Sequence, residues 1–150
     1  MEIVEQLVHI YKTEDYYQRG NLTDLEIRRY YSKMIAHGRI QLYMETCNVV
    51  GFIESWRLNY EQLGRVVCWH DFSALEEDVN NGDILYISDI YVAPHKRGNG
   101  IVKILMEMLE NSNRDALYGV SKRVKSKKVQ YYRVYDKKVA YKLNKENTNG

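Results

Sequence analysis

The sequence predicts an α+β fold of the αβα type, in which helices flank a central β-sheet, and three observations lead to it. Before residue 38, apolar residues recur at three- and four-residue steps, which is typical of helices. From Arg39 the period changes to two, which is typical of strands. An apolar run at residues 84–92 then leads into a glycine-containing loop, after which helical spacing returns. The 150 residues, 45% hydrophobic and 28% charged, suit one domain with a single core.

Two helices are predicted ahead of the sheet. The first covers residues 2–12 and the second covers residues 23–37, followed directly by a glycine. Thr23 or Asn21 can cap the second helix, and Glu26 stands three residues after Thr23, as in a capping box. The first helix presents one apolar stripe, formed by Ile3, Val4, Leu7, Val8, Ile10 and Tyr11.

A β-hairpin and a buried strand are predicted for the middle of the chain. Apolar and polar residues alternate over residues 40–56 on both sides of a turn at Asn48. Residues 84–92 are apolar, β-branched and aromatic, and they lie between a Gly-Asp pair and a proline. This composition predicts a central strand that is buried on both faces.

The other segments are less regular in pattern. Residues 59–83 form an excursion between strands, in which we predict one strand at 65–70 and a helical turn at 73–79. Beyond the glycine loop, the spacing predicts a helix at 100–110, a strand at 116–120, a helix at 125–133 and a last strand at 134–143. We expect one domain spanning residues 1–150, with 1–20 as an N-terminal helical extension and 144–150 as a frayed tail.

Positive charge is concentrated in the last quarter of the chain. Residues 1–115 hold 12 Lys/Arg and 18 Asp/Glu, whereas residues 116–150 hold 10 Lys/Arg and 2 Asp/Glu. A charged segment of this kind is commonly a solvated surface. It can also attract the phosphates of a coenzyme, or bind a nucleic acid or another acidic acceptor.

Cysteine usage and hydropathy indicate the compartment. Cys47 and Cys68 are isolated, without CxxC spacing or an apolar leader ahead of them, so we expect reduced thiols in a cytoplasmic protein. No apolar run approaches the ~18 residues that a membrane helix needs, so we expect no membrane partner.

The loop Arg97-Gly98-Asn99-Gly100 carries the strongest chemical signal. It follows a predicted strand and opens a predicted helix, so that backbone N–H groups and the positive end of the helix dipole can meet an anion. Glycine lets the backbone approach a phosphate closely. The pattern is neither the P-loop of nucleotide hydrolases nor the GxGxxG of dinucleotide-binding proteins, and neither function is favoured.

The segment around this loop resembles the coenzyme A signature of the GNAT superfamily of acyl-CoA N-acyltransferases. In that signature a strand ends in Val-x-Pro, and Gln or Arg is followed by two residues, Gly, one residue, and Gly or Ala. Val92, Pro94, Arg97 and Gly100 match, whereas Val102 stands at the last position, where the family has Gly or Ala. The order of predicted elements over residues 20–143 also follows the family, apart from its first strand. The resemblance implies a mixed, mostly antiparallel sheet.

The resemblance also implies an acyl-CoA, expected to be acetyl-CoA, as the co-substrate. The strand end would pair with the pantetheine arm through Ile90, Tyr91 and Val92. The loop and the helix start would hold the pyrophosphate, helped by the side chains of Lys96 and Arg97. This second set is Arg97, Gly98, Asn99, Gly100, Ile101 and Val102.

In the family, the acceptor amine attacks the thioester directly, so the reaction needs a base for the ammonium proton and an acid for the leaving thiolate. Family members commonly place a tyrosine on the helix after the fifth strand. Tyr131, Tyr132 and Tyr135 lie in that region, and we favour Tyr132 because it keeps a three-residue apolar spacing from Val129.

The candidates for the base are Asp89, Glu54 and His70. Because side chains alternate along a strand, Asp89 faces the acceptor only if a β-bulge intervenes. We predict no metal, since the histidines show no shared spacing and no ligand cluster. They are His9, His37, His70 and His95.

The acceptor remains open in the sequence. A small amine, a protein amine and the amino group of a nucleobase are alternatives, and a homodimer is a further open question. Residues 122–138 combine Lys and Arg with Tyr131 and Tyr132, a composition that nucleic-acid sites use. The other readings are a GNAT-like binding module without catalysis and a nucleic-acid-binding or base-modifying protein.

Overall fold

A computed structural model describes residues 1–14, 22–69, 71–77, 82–122 and 129–133. The helices are α1 (Ile3–Thr13), α2 (Asp24–Ala36), α3 (Tyr60–Trp69) and α4 (Ile101–Ser112), with two 3₁₀ segments at Phe72–Glu76 and Pro94–Lys96. The strands are β1 (Ile40–Glu45), β2 (Asn48–Leu58), β3 (Ile84–Val92), β4 (Tyr118–Lys122) and β5 (Val129–Arg133). No described helix has the length and apolar character needed to cross a membrane.

The five described strands form one mixed sheet in the order β1-β2-β3-β4-β5. Only β3 and β4 are parallel, and the other neighbours are antiparallel. Helices α1 and α2 contact one face, where Tyr31 packs edge-on against Phe52 with 6.2 Å between ring centroids. Helix α4 covers the other face and buries Leu105 completely. The predicted α+β fold with a mixed, mostly antiparallel sheet and flanking helices is confirmed.

The two N-terminal helices form as predicted. The capping box at α2 is complete, because the Glu26 amide donates to Thr23 Oγ1 and the Thr23 amide donates to Glu26 Oε1, each at 3.2 Å. Gly38, with φ of +65°, follows the C-terminus of α2. Helix α1 places Leu7 in the core with no exposed surface, so its apolar stripe is part of the packing of the domain.

Two sequence predictions are wrong. The strand predicted at 65–70 is part of α3 up to Trp69, whereas the helical turn predicted at 73–79 is present as the 3₁₀ segment Phe72–Glu76. Helix α3 has its own cap, since the Gln62 amide donates to Asn59 Oδ1 at 2.8 Å. The helix predicted at 125–133 is replaced over Val129–Arg133 by β5, because antiparallel pairing with β4 outweighs the local helical spacing. The strand predicted at 134–143 lies outside the described residues.

Gly51 marks the closest approach of the sheet to α4. A Cβ built there would lie 2.9 Å from the Tyr91 carbonyl oxygen, 3.2 Å from Ile101 and 3.3 Å from Leu105. We therefore expect Gly51→Ala to lower the free energy of unfolding by about 1–3 kcal/mol, as overpacking does. Urea denaturation measures the change. Gly64→Ala is the control, since a Cβ on this α3 residue meets no atom within 4 Å and alanine favours helix by about 1 kcal/mol. Equal losses in the two variants would contradict the packing argument.

Candidate active site

A cavity of about 380 Å³ opens between α2, the β2–β3 pair and the first 3₁₀ segment. Its described walls carry carboxylates and aromatic rings from segments that are distant in sequence. Its lining residues are Tyr30, Glu54, Trp56, Phe72, Leu75, Glu76, Tyr86, Ser88 and Asp89. A volume of this size suits a small organic molecule.

A β-bulge turns Asp89 into this cavity. Glu54 of β2 pairs with Asp89 of β3, but the next residue, Ser55, pairs with Ile87, so that Ser88 is an extra residue on β3. The bulge resets the alternation of side chains, and both Ser88 and Asp89 line the cavity. The β-bulge that the sequence analysis required for Asp89 is therefore present. Directly paired residues lie on the same face of a sheet, which brings Glu54 and Asp89 together.

Glu54 is buried, with 3% of its surface exposed, and hydrogen bonds hold its carboxylate. The Tyr30 hydroxyl donates to Glu54 Oε2 at 2.8 Å, and the Ser88 hydroxyl donates to the same oxygen at 3.4 Å. Burial, together with the negative charge of Asp89, raises the pKa of Glu54 to about 8, although the two hydrogen bonds oppose the change. Burial also raises the pKa of the Tyr30 hydroxyl, which stays protonated as a donor.

The first 3₁₀ segment forms one wall of the cavity and is held at both ends by one arginine of α3. Arg65 Nε lies 2.9 Å from Asp71 Oδ2, just before the segment, and Arg65 Nη1 lies 2.6 Å from Glu77 Oε1, just after it. Gln62 Nε2 also donates to Glu77 Oε2 at 3.3 Å. The excursion predicted at residues 59–83 therefore supplies part of the cavity wall.

On the other side of the bulge, β3 separates from β4. The parallel pairing runs from Ile84 with Tyr118 to Ile87 with Ser121 and stops there, whereas β3 continues to Val92. Within the described part of the sheet, the edge of Ile90, Tyr91 and Val92 that faces β4 therefore has no strand partner. An extended ligand with amide groups can pair with such an edge.

The glycine loop follows this edge. Gly98 and Gly100 adopt φ of +87° and +78°, and a Cβ on either would meet no atom within 4 Å. Gly100 is the N-cap of α4 and makes no side-chain capping hydrogen bond, so the first-turn N–H groups from Ile101 onward have no acceptor at the N-cap. Val102 is 47% exposed in this first turn. The geometry fits an anion at the helix N-terminus.

The two cations next to the loop contact carboxylates of the protein. Arg97 Nε donates to the Val92 carbonyl oxygen at 3.1 Å, and its Nη2 lies 3.9 Å from Glu14 Oε2. Lys96 Nζ lies 2.8 Å from Glu45 Oε2. Both side chains are therefore engaged beside the loop, where the start of α4 supplies backbone N–H groups.

A family model described as the acetyltransferase (GNAT) family matches residues 4–134. The chain belongs to the GNAT acetyltransferase family. No curated protein matches the sequence.

Solved GNAT structures show the same fold at low sequence identity. A GNAT-like decarboxylase, GphF, in complex with isobutyryl-CoA is 13% identical, with a TM-score of 0.60 over 79% of this chain and 60% of that one. The loading GNATL domain of CurA from Lyngbya majuscula is 16% identical, with a TM-score of 0.58 over 79% and 59%. The aminoglycoside 6'-N-acetyltransferase AAC(6')-IG from Acinetobacter haemolyticus is 12% identical, with a TM-score of 0.53 over 81% and 73%. The chain thus spans less than two thirds of the first two proteins.

Two of the three tyrosines predicted as the acid of this GNAT protein, Tyr131 and Tyr132, lie on a strand. Tyr132 pairs with Gly119, whereas Tyr131 pairs with Val120, which in turn pairs with the cavity residue Tyr86. The register therefore aligns Tyr131, rather than Tyr132, with Val120 and Tyr86 across the sheet. The helix on which the choice of Tyr132 depended is absent from Val129–Arg133, and Tyr135 lies outside the described residues. The role of Tyr132 stays a prediction.

Several residues that line the cavity of this GNAT protein were not predicted from the sequence as functional residues. Tyr30 lies on the apolar side of a predicted helix, and Trp56 lies on a predicted strand, where both look like core residues. Phe72 and Glu76 belong to the excursion, in which the sequence pattern is irregular.

His70, a candidate base, lies outside the described residues. Among the described residues, no three His, Cys, Asp or Glu side chains lie together as a metal site requires.

Proposed function

We propose that the protein is an acetyl-CoA-dependent N-acetyltransferase whose acceptor amine enters the cavity beside Glu54 and Asp89. One observation carries this proposal: β3 joins both halves of the site. Asp89 lines the cavity, the edge of Ile90 to Val92 that has no partner among the described strands follows at once, and the glycine loop comes next. A thioester bound along that edge would have its reactive end near the two carboxylates.

The residues of the donor half fit coenzyme A. Backbone amide groups of Ile90 to Val92 would pair with the pantetheine arm, and N–H groups of the segment from Arg97 to Val102 would hold the pyrophosphate. A glycine at position 100 keeps this cradle open, since any side chain there would project into it. Bound acetyl-CoA supplies an activated acyl group as a thioester.

The acceptor half fits the chemistry of an amine. The amine nitrogen attacks the thioester carbonyl carbon, the C–S bond breaks, and the thiolate of coenzyme A leaves with the electron pair and takes up a proton. The ammonium form must first lose a proton, and we assign its acceptance to the Glu54–Asp89 pair. A carboxyl whose pKa is about 8 is a far stronger base than an ordinary one and is matched to this task.

Decarboxylation, the activity named for one structural neighbour, suits this cavity less well. A decarboxylase substrate carries a carboxylate, which would meet the negative charge of Asp89 and, above its pKa of about 8, that of Glu54. Fold similarity alone does not separate the two reactions, whereas the charge of the cavity favours an amine.

Both cysteines are free and exposed, which supports our placement of the protein in the cytoplasm. Cys47 and Cys68 form no disulfide with each other. Exposed thiols of this kind stay reduced in that compartment.

The test is an assay for acetyl transfer with purified protein, acetyl-CoA and a panel of small amines. We expect release of free coenzyme A that depends on the amine, together with a product whose mass is increased by one acetyl group. Coenzyme A binding without turnover on any amine would point to a binding module. Absence of binding at high micromolar acetyl-CoA would rule out the proposal.

A further inference from the structure

We propose that the acceptor is a small amine that carries a second cationic group, such as a diamine, with one cation beside Glu54 and Asp89 and the other beside Glu76. This inference rests on the proposed function and specifies its acceptor.

The cavity combines negative charge with aromatic faces. Two of its carboxylates lie on the sheet, and a third, Glu76, lies on the 3₁₀ segment. Aromatic side chains from α2, β2, β3 and the same segment line the space between them. Ring faces attract cations, and their apolar area suits a methylene chain. No Lys, Arg or His is among the described lining residues.

The backbone of Glu76 is held in place independently of any ligand. It ends the segment Phe72–Glu76, whose flanking residues Asp71 and Glu77 are both bound to Arg65. The segment also buries Ala74 completely. A carboxylate on a fixed wall, away from the Glu54–Asp89 pair in sequence and on another element, can select for the distance between two cations.

The same charges oppose other acceptors. The Arg39 guanidinium lies over the Trp56 ring, 4.8 Å from its centroid, but no cation is among the described lining residues. An amino acid carboxylate or a phosphodiester would meet carboxylates on two walls, so the cavity is unfavourable for a nucleobase within a nucleic acid. The basic segment at residues 122–138 lies mostly outside the described residues and takes no part in this inference.

The experiment compares a diamine and a monoamine with the same four-carbon chain at saturating acetyl-CoA. We expect kcat/KM for 1,4-diaminobutane to exceed that for n-butylamine by about two- to fivefold, because Glu76 is exposed and exposed ion pairs are weak. Glu76→Gln should remove this preference. Glu107→Gln, an exposed charge on α4 away from the cavity, should keep it.

Equal kcat/KM for the two amines, or a preference that survives Glu76→Gln, would overturn the inference and leave the proposed function standing. If no amine of the panel is acetylated, the proposed function fails, and calorimetry on the coenzyme A complex then tests the inference alone. Binding of 1,4-diaminobutane no tighter than that of n-butylamine would overturn it.

Discussion

Glu54→Gln is expected to lower kcat/KM for amine acetylation by about 10²- to 10⁴-fold, the usual contribution of a positioned base. In the wild-type protein, the rate should rise with pH as Glu54 ionises near its pKa of about 8. In the variant, this rising limb of the pH–rate profile should disappear, and the rate should depend on pH only through the ionisation of the amine itself. Initial rates between pH 6 and pH 10 measure both effects, and the affinity for acetyl-CoA should change little.

Stability does not account for such a loss. The folded-state pKa of Glu54 lies above its ordinary value of 4.5, so the carboxyl favours the folded state less as pH rises from 4.5 to about 8. The Gln variant should therefore be at least as stable as the wild type above pH 8. Asp89→Asn is the companion variant: removing a like charge should lower the pKa of Glu54 and move the limb to lower pH. A normal rate and an unchanged limb in Glu54→Gln would exclude Glu54 as the base.

The second large effect is expected at the glycine loop. Gly100→Glu should weaken acetyl-CoA binding by more than about 100-fold, because a like-charge contact at ~4 Å near a protein surface costs about 4 kcal/mol. The side chain would also project from the N-cap of α4 into the space that the phosphates need. Isothermal titration of acetyl-CoA measures the change in affinity.

Gly38 offers a matched control for this variant. It also has a positive φ, at +65°, and a Cβ there meets no atom within 4 Å. Gly38→Glu therefore adds the same charge and a similar backbone strain, about 1–2 kcal/mol. Gly38 precedes the start of β1, whereas Lys96 beside the loop contacts Glu45 at the end of β1. We expect it to lower thermal stability and to leave acetyl-CoA affinity unchanged. Similar losses of affinity in the two variants would refute the assignment of the loop.

Local chemistry explains which elements the sequence could predict. Thr23 and Glu26 define the start of α2 through side-chain contacts three residues apart, and the pattern shows this directly. Asn59 and Gln62 make the same kind of contact at the start of α3. The β-branched pair Val66-Val67 favoured a strand there, and burial of Leu63 and Val66 on one side of a helix overrides that preference.

The sequence could not predict which distant segments meet at the site, although it named Glu54 and Asp89 as candidate bases. Val129–Arg133 satisfies a helical spacing, and only pairing with β4 makes it a strand. The cavity draws Tyr30, Glu54, Phe72 and Asp89 from four elements, and no spacing rule connects them. By contrast, the proposed donor half would occupy consecutive residues from Ile90 to Val102, which is why a short motif could predict it.

Because Ser88 is an extra residue in β3, the side chains before it and after it alternate between the two faces of the sheet in opposite phase. Tyr86 and Asp89, three residues apart, face the same cavity, although an unbroken strand would turn them to opposite sides. Deleting Ser88 would shift every later residue by one position, so that a strand without the bulge could orient either the acceptor wall or the coenzyme edge, but not both. One inserted residue thus couples two binding requirements that a regular strand keeps apart.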